Sequence, residues 1–393
     1  MPKVLRIINR FNLGGPTYNT AYLTKYLAPE FETFLVGGQK DNSEESSEFI
    51  VNDLGITPLI ITEMRRSINP LNDLKAFLRL RKIIKEFKPD IVHTHASKAG
   101  TLGRLAAISC KVRVIVHTFH GHVFHSYFGN FKTAVYKNIE RYLAKRSNAI
   151  IAISEKQKEE LCNIHKICDA DKTHVIPLGF DLNKFQENKN EKRSDFRKKY
   201  NVAEDEIAVV IIGRLVPVKN HNLFLESIQL VLGKTTKKIR VFIVGDGAER
   251  TAIEAKAKEL NIDFGNGPGK HTLTFASWIK NVDWVCAGAD IIALTSFNEG
   301  TPVSLIEAQA AGKPIVTTNV GGIENVVIAD TTAFLVNSFN SIDFSNALLK
   351  LIEDAALRET MGAKGSQHVI KKFHYERLVS DVRSLYKTLL RNI

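Results

Sequence analysis

The chain lacks a cysteine framework. Its four cysteines, Cys110, Cys162, Cys168 and Cys286, are spread over 393 residues without a CxxC pair, which excludes a disulfide-stapled fold and agrees with a reducing compartment. It also lacks any apolar run approaching the roughly 18–20 residues that a membrane-crossing helix needs, so an integral membrane protein is not expected. The start, Met1-Pro2-Lys3-Val4-Leu5-Arg6, breaks its only apolar stretch with Arg6 and Arg10. A secretory signal with an uninterrupted hydrophobic segment is absent, and the expected location is the cytoplasm. Low-complexity segments and short-period repeats are missing too, which removes solenoids and arrays.

Acidic residues are scarce in one half only. Residues 1–200 hold 33 Lys+Arg against 21 Asp+Glu, whereas residues 201–393 hold 21 of each. A basic half suits nucleic acid, an anionic membrane surface or an anionic substrate, and charge alone does not choose among them.

What is present is ample apolar material, 44% of the chain, far above the disordered range. Single cores stop growing near roughly 250–300 residues, so the length implies two domains. Short apolar runs alternate with helical-period segments, the pattern of parallel βαβ units. The first-half strands are expected at Val4–Ile8, Thr33–Val36, Leu59–Ile61, Ile91–His93, Val112–His117 and Ala149–Ile153, with helices around Thr17–Leu27, Leu71–Phe87, Gly100–Ser109 and Lys132–Ala144. A polar, irregular linker is expected at Leu178–Glu191. The pattern then restarts with strands at Ala208–Ile212, Arg240–Val244, Leu273–Phe275, Asp290–Leu294 and Pro314–Thr317. The helices between are expected near Leu223–Leu232, Glu249–Leu260, Pro302–Ala311 and Asp343–Asp354. Two doubly wound sheets would put ligands outside the carboxyl ends of their strands.

The most informative segment follows the strand Asp290–Leu294: Asn298-Glu299-Gly300-Thr301-Pro302-Val303-Ser304-Leu305-Ile306-Glu307-Ala308. Glu299 would stand in the loop before a helix and Glu307 two turns into it. Free backbone N–H groups at Gly300 and Thr301, at the positive helix end, would make an anion site. Taken alone, the two glutamates are equally explained by Glu299 favouring the helix dipole and Glu307 facing solvent. A second loop, Gly213-Arg214-Leu215-Val216-Pro217-Val218-Lys219-Asn220, follows the first strand of the second half. Arg214 offers a bidentate fork to phosphate oxygens and Lys219 a compact charge, together able to stabilise a departing diphosphate without a metal. Val244-Gly245-Asp246-Gly247 is a glycine turn after the next strand.

In the first half, Gly14-Gly15 lies in the first strand-to-helix turn, without the third glycine of a dinucleotide fingerprint. Six of the twelve histidines, His93, His95, His117, His120, His122 and His125, crowd the ends of two strands. They read as polar contacts rather than a metal site, because no carboxylate or cysteine joins them at ligand spacing. Cys162, His165, Cys168 and His174 have intervals unlike common zinc sites, and Asp169-Ala170-Asp171 reads as a solvated turn.

At this point the residues resemble a known family. Glu299-Gly300-Thr301-Pro302 through Glu307-Ala308 with Ala311-Gly312-Lys313-Pro314, Gly213-Arg214-Leu215 with Lys219, Val244-Gly245-Asp246-Gly247-Ala248-Glu249-Arg250 and Gly321-Gly322-Ile323-Glu324 resemble the retaining glycosyltransferases of family 4. The likeness runs over essentially the whole chain. It implies the α/β GT-B fold: two Rossmann-like doubly wound domains facing a central cleft. Residues 1–180 would form the N-terminal acceptor domain, with a C-terminal helix at about 373–393 packing back on it, and residues 181–372 the nucleotide-sugar donor domain.

The resemblance further implies that Arg214 and Lys219 hold the donor diphosphate, Glu299 the donor-sugar hydroxyls and Glu307 the nucleotide ribose. His120 matches the histidine that approaches the donor sugar. Gly14, Gly15, Gly245, Gly300, Thr301, Pro302 and Val303 complete the implied donor-binding set. The stretches His93–Gly100 and His120–Phe124 look like members that extend lipid-linked glycans for bacterial O-antigen, capsule or glycoprotein assembly. One departure is Ala276-Ser277-Trp278, where many relatives carry glycine after the strand.

The implied reaction moves a hexose or N-acetylhexosamine from a nucleotide-sugar, by resemblance a UDP-sugar, to a glycan or polyprenyl-diphosphate-linked sugar. No cofactor and no catalytic metal are expected. With no convincing enzyme nucleophile, front-face displacement is the expected route to retention. Leu74, Phe77, Leu78, Ile84 and Phe87 are expected on one side of the segment Leu71–Lys88, with Lys75, Arg79, Lys82, Lys85 and Lys88 around it. That suits either an interfacial helix at an anionic membrane, hence a peripheral location at the inner face of the plasma membrane, or an ordinary crossover helix with a solvated basic face. A nucleotide-sugar epimerase would bind the same donor without an acceptor. A nucleic-acid-binding protein is suggested by net charge alone, and no helix-turn-helix, zinc-finger or RNP-like segment supports it.

Overall fold

A computed structural model describes residues 1–11, 15–39, 47–65, 67–121 and 130–392, the backbone alone at 130–132. The chain divides into two units, one of Met1–Phe180 with Phe373–Ile393 and one of Asp181–Lys372. Among the described residues, no helix is long and apolar enough to cross a membrane.

The first unit holds strands β1 (Lys3–Ile8), β2 (Glu32–Gly38), β3 (Leu59–Ile61), β4 (Ile91–His95), β5 (Val114–Phe119), β6 (Ala149–Ala152) and β7 (Thr173–Val175). They pair in parallel in the order β3-β2-β1-β4-β5-β6-β7. Its helices are α1 (Gly15–Tyr26), α2 (Glu48–Asp53), α3 (Pro70–Phe87), α4 (Ser97–Ser109), α5 (Asn130–Lys145) and α6 (Glu155–Glu159). Parallel pairing needs crossovers, and the helices cover both sheet faces, which explains why the central strands β1, β4 and β5 are buried almost throughout rather than on alternate residues, polar members such as Arg6, His93 and His117 included.

The second unit repeats the plan. Strands β8 (Glu206–Ile212), β9 (Lys238–Val244), β10 (Phe264–Asn266), β11 (Leu273–Ser277), β12 (Ile291–Leu294), β13 (Ile315–Thr318) and β14 (Ala333–Val336) run in the order β10-β11-β9-β8-β12-β13-β14, all parallel. Its helices are α7 (Lys189–Lys199), α8 (His221–Leu232), α9 (Arg250–Glu259), α10 (Val282–Gly288), α11 (Val303–Ala310), α12 (Ser341–Glu353) and α13 (Ala355–Phe373). Val209, Ile211, Phe224, Val241, Ile243 and Leu348 are among its fully buried core residues. In both sheets the chain winds outward from a central strand and then returns to its other side, between β1 and β4 and between β8 and β12. Loops diverge there and leave a crevice.

The final helix, α14 (Tyr375–Arg391), belongs to the first unit. Its Leu378, Val379, Val382, Leu385 and Tyr386 pack with Val4, Leu23, Phe31, Ile91 and Val114 from the sheet and α1. Arg377 donates to the carbonyls of Pro177 and Leu178 at 2.6 and 2.9 Å.

Three expectations are corrected. The stretch Leu178–Glu191 is not irregular linker: Phe185 is buried in a short 3-10 turn, and α7 begins at Lys189. That helix carries one apolar residue in eleven, Phe196, so it has no hydrophobic period to read. Arg197 anchors it through Asp290 at 3.2 Å and the Glu206 carbonyl at 2.8 Å. The three- and four-residue strands β7, β10 and β14 are likewise too short for periodicity. In α3 the side turned to the core is Ala76, Leu80, Ile83 and Ile84, so Ile84 does not share an outward stripe with Leu74 and Leu78. Those two are exposed, whereas Phe77 and Phe87 are half-buried against the core.

Candidate active site

In the second unit, the loops after β8, β9, β12 and β13 are tied together at the carboxyl ends of the central strands. After β8 the chain passes Gly213 and the exposed Arg214, then a 3-10 turn at Pro217–Lys219. Asn220, at φ 50°, turns it into α8. The loop after β12 lies against that turn: Phe297 N–H donates to the Val218 carbonyl at 2.8 Å and the Thr295 hydroxyl to the Lys219 carbonyl at 3.1 Å.

These bonds bring Lys219 onto Glu299. Nζ lies 2.6 Å from Oε1, with the side chains only 18% and 11% exposed. Ser296 donates its hydroxyl to the same oxygen at 2.6 Å, and its own carbonyl accepts from Thr318 on β13 at 2.7 Å. Because Oε1 carries both bonds, Oε2 is the oxygen left to accept from a ligand hydroxyl. The ion pair is shielded from water and fixes the carboxylate in one orientation.

Helix α11 starts beside it. Pro302 stands at its N-cap without a side-chain cap. Among the described residues, the N–H groups of Val303 and Ser304 have no acceptor. Pro302 itself has no N–H to offer. Nothing lies within 4 Å of where a Gly300 β-carbon would be, so the approach to this helix end is open. An anion would meet backbone donors and the positive end of the dipole.

Two turns in, Glu307 is partly enclosed on the side of α10. Burial pushes its carboxyl up to about 7, with Asp283 adding to the rise and Lys184 opposing it. The structure thus separates two glutamates that the sequence presents alike: Glu299 is paired with a lysine, whereas among the described residues none makes a hydrogen bond or ion pair with the Glu307 carboxylate.

The glycine turn after β9 is dictated by crowding. Gly245 has φ +134°, and a β-carbon there would lie 2.0 Å from the Gly213 carbonyl oxygen. The loop is closed by Leu215 N–H to the Asp246 carbonyl and Gly245 N–H to the Ser277 carbonyl, at 3.0 and 2.8 Å. Ser277 itself has φ +51° at a register shift between β11 and β9. That backbone is why glycine suits this position, and serine tolerates it here.

In the first unit, four of the six histidines are described, and all four have hydrogen-bonded rings. His93 bonds the Tyr386 hydroxyl at 2.6 Å through Nδ1 and Thr118 at 2.7 Å through Nε2. Thr94 bonds His117 at 2.8 Å, and His95 Nδ1 meets His120 Nε2 at 2.9 Å. Burial drives all four below the usual histidine range, His120 to about 3. Burial thus favours the neutral form of each ring, and among the described residues His120 Nδ1 has no hydrogen-bond partner. Gly15 opens α1, whereas Gly14, His122 and His125 lie outside the described residues. Asp169 and Asp171 are exposed in the turn before β7.

Sequence alone does not disclose the roles of Ser296 and the pair Gly321-Gly322. Ser296 gives no signal beyond standing three residues before Glu299. The glycines belong to the Gly321-Gly322-Ile323-Glu324 motif, but their contact with Glu299 exists only once the loops have folded.

Comparison with known proteins adds the following. Residues 13–184 match the family model "Glycosyltransferase Family 4" and residues 192–368 match "Glycosyl transferases group 1". The chain is 30% identical over 344 residues to the Escherichia coli UDP-Gal:α-D-GlcNAc-diphosphoundecaprenol α-1,3-galactosyltransferase, covering 86% of each chain. It is 25% identical over 373 residues to the N,N'-diacetylbacillosaminyl-diphospho-undecaprenol α-1,3-N-acetylgalactosaminyltransferase of Campylobacter jejuni, covering 92% of each. Among solved structures, Anabaena HepE in complex with UDP superposes with a TM-score of 0.82 at 18% identity, over 98% of this chain and 100% of that one.

Proposed function

Starting from a chain that belongs to glycosyltransferase family 4, we propose that it moves a hexose or N-acetylhexosamine from a UDP-sugar to a sugar on polyprenyl diphosphate. The transfer retains anomeric configuration and uses no metal. The product feeds a bacterial surface polysaccharide, and the enzyme works peripherally at the inner face of the plasma membrane. The names of the E. coli and C. jejuni relatives, which specify diphosphoundecaprenol acceptors, support the acceptor class.

The observation that carries the reading is the Lys219–Glu299 pair beside the uncapped start of α11. A donor diphosphate at that helix end meets the Val303 and Ser304 N–H groups and Lys219, with Arg214 exposed on the same loop as a second cation. Charge grows on the leaving phosphate as the glycosidic bond breaks, so these fixed donors act more strongly in the transition state than in the ground state. Glu299 accepts a sugar hydroxyl through Oε2 and thereby orients the ring. Glu307 accepts the ribose hydroxyls. The acceptor then attacks the face from which UDP departs, without a covalent glycosyl-enzyme.

The test is transfer assayed with UDP-galactose, UDP-N-acetylglucosamine and UDP-N-acetylgalactosamine against polyprenyl-diphosphate-linked N-acetylhexosamine, each with and without EDTA. An α-linked product with stoichiometric UDP release, insensitive to EDTA, is the expected result. Conversion of the donor to a new nucleotide-sugar without acceptor would instead identify an epimerase, and loss of activity in EDTA would overturn metal independence.

A further inference from the structure

Six exposed large apolar side chains of the first unit fall on two helices. Leu71, Leu74 and Leu78 run along α3 at spacings of three and four, and Val135, Ile139 and Tyr142 do the same along α5. All six expose between 39% and 73% of their surface. Such spacing puts each trio on one helix face. The two faces meet at a trough of about 430 Å³ lined by Leu74, Phe77, Leu102, Leu105, Ile108 and Tyr142, so α4 forms its floor. Large contiguous apolar surface is rare on a protein that keeps only water for company.

The surroundings are basic. Helix α3 carries Lys75, Arg79, Arg81, Lys82 and Lys85, and α5 carries Lys137, Arg141 and Lys145, followed by Arg146 over the Tyr142 ring at 3.9 Å. The nearby carboxylates are engaged: Asp73 holds Lys98 at 2.5 Å, Glu86 lies 3.8 Å from Lys82, and Glu140 is buried on Arg104 at 2.6 Å. Arg79 pairs with Glu63 at 3.3 Å, but among the described residues Lys75, Lys85 and Lys145 have no acidic partner; a second copy of this face would bring like charges together, and an apolar partner would leave these three lysines without an anion. An anionic bilayer satisfies both parts, its headgroups meeting the lysines and arginines and its hydrocarbon meeting the leucines.

We propose that the α3–α5 face docks on an anionic lipid bilayer and that the trough takes one hydrocarbon chain from it. The proposal rests on the reading that the acceptor is lipid-linked, and it names the surface that would bring the enzyme to such a lipid.

Sedimentation with phosphatidylcholine vesicles, with and without one quarter phosphatidylglycerol, tests the docking. The wild-type chain should sediment with the anionic vesicles and stay in solution with the neutral ones. Leu74→Glu and Tyr142→Glu, both at exposed positions, should each weaken recovery at least tenfold while thermal stabilisation by UDP stays as in the wild type. Equal recovery on both vesicles, or variants that sediment like the wild type, would overturn the docking surface. Self-association that both substitutions abolish, without lipid binding, would assign the face to a second copy. Tyr142→Trp reads the trough: lipids brominated in their chains should quench the added fluorescence, and sedimentation without quenching would overturn chain entry. Vesicle binding by a chain that UDP fails to stabilise would leave docking standing and sink the transferase reading instead.

Discussion

Gly321 passes directly against Glu299. At φ +57° its missing β-carbon would lie 2.0 Å from the Glu299 carbonyl oxygen, and the next residue, Gly322, donates its N–H to that carbonyl at 2.9 Å. The loop after β13 thus supports the loop that carries the carboxylate. Gly321→Ala is expected to push Glu299 out of line with Lys219. The strained backbone alone costs about 1–2 kcal/mol, and kcat for sugar transfer should fall more than UDP affinity does. Steady-state kinetics beside UDP titration calorimetry separate the two.

Lys219 and Glu299 should behave as one unit. Lys219→Ala leaves a poorly hydrated carboxylate uncompensated and removes a phosphate cation, so a loss of about 10²–10³ in kcat is expected. Glu299→Gln alone should cost comparably. The double variant should cost much less than the product of both, a coupling of about 1–3 kcal/mol in a double-mutant cycle.

Glu307 sets a pH dependence whose sign follows from its raised pKa. Between the ordinary value of 4.5 and about 7, the folded chain binds a proton that the unfolded chain has lost. Stability of the unliganded protein therefore falls as pH rises through that window and levels off above it, by at most about 3 kcal/mol. Ribose hydroxyls favour the ionised carboxylate, so UDP should bind up to about tenfold more tightly at pH 8 than at pH 6. Glu307→Gln should flatten both profiles, measured by thermal unfolding and by calorimetry.

Tyr386 keeps a buried cation and a buried imidazole satisfied at once. Arg6 is fully buried, donates to the Thr24 hydroxyl at 2.8 Å and to the Tyr386 oxygen at 3.3 Å, and that same oxygen bonds His93. Tyr386→Phe is expected to lower unfolding free energy by about 1–3 kcal/mol, since it strips partners from groups that water cannot reach. Denaturant unfolding should show the loss in the first unit.

Ser277 gives a prediction of the opposite sign. Its left-handed backbone disfavours a β-carbon, and the bonds of its hydroxyl are long, 3.4 Å to Asp246 and 3.5 Å from Arg250. Ser277→Gly should raise stability by about 0.5–1 kcal/mol, visible as a higher melting temperature.

Much of this architecture is legible in the chain itself. Strands such as β8 and β12 lie at the centre of a parallel sheet, so their residues are almost all apolar on both faces and stand out as runs. Glycine turns such as Gly245 are visible because only glycine fits where carbonyls crowd. What stays hidden depends on long-range pairing. Lys219 and Glu299 are 80 residues apart, and composition at neither position tells that one holds the other. The α7 helix is held by Arg197 and by Phe196, contacts that leave no periodic trace. The raised pKa of Glu307 comes from its burial in the folded chain, and its two flanking turns read the same as those of an exposed glutamate.

The place of α14 in the first unit bears on how the molecule is made. Asp181–Lys372 is continuous, so it has all its strands once the ribosome has passed residue 372. The first unit does not, because Leu378, Val382 and Tyr386 arrive last. Until they emerge, the sheet that was synthesised first exposes Val4, Ile91 and Val114 and leaves Arg6 short of a partner. Vectorial synthesis therefore finishes the second half before the first, and a chain cut short at its last helix carries an open hydrophobic seam for chaperones and proteases to find.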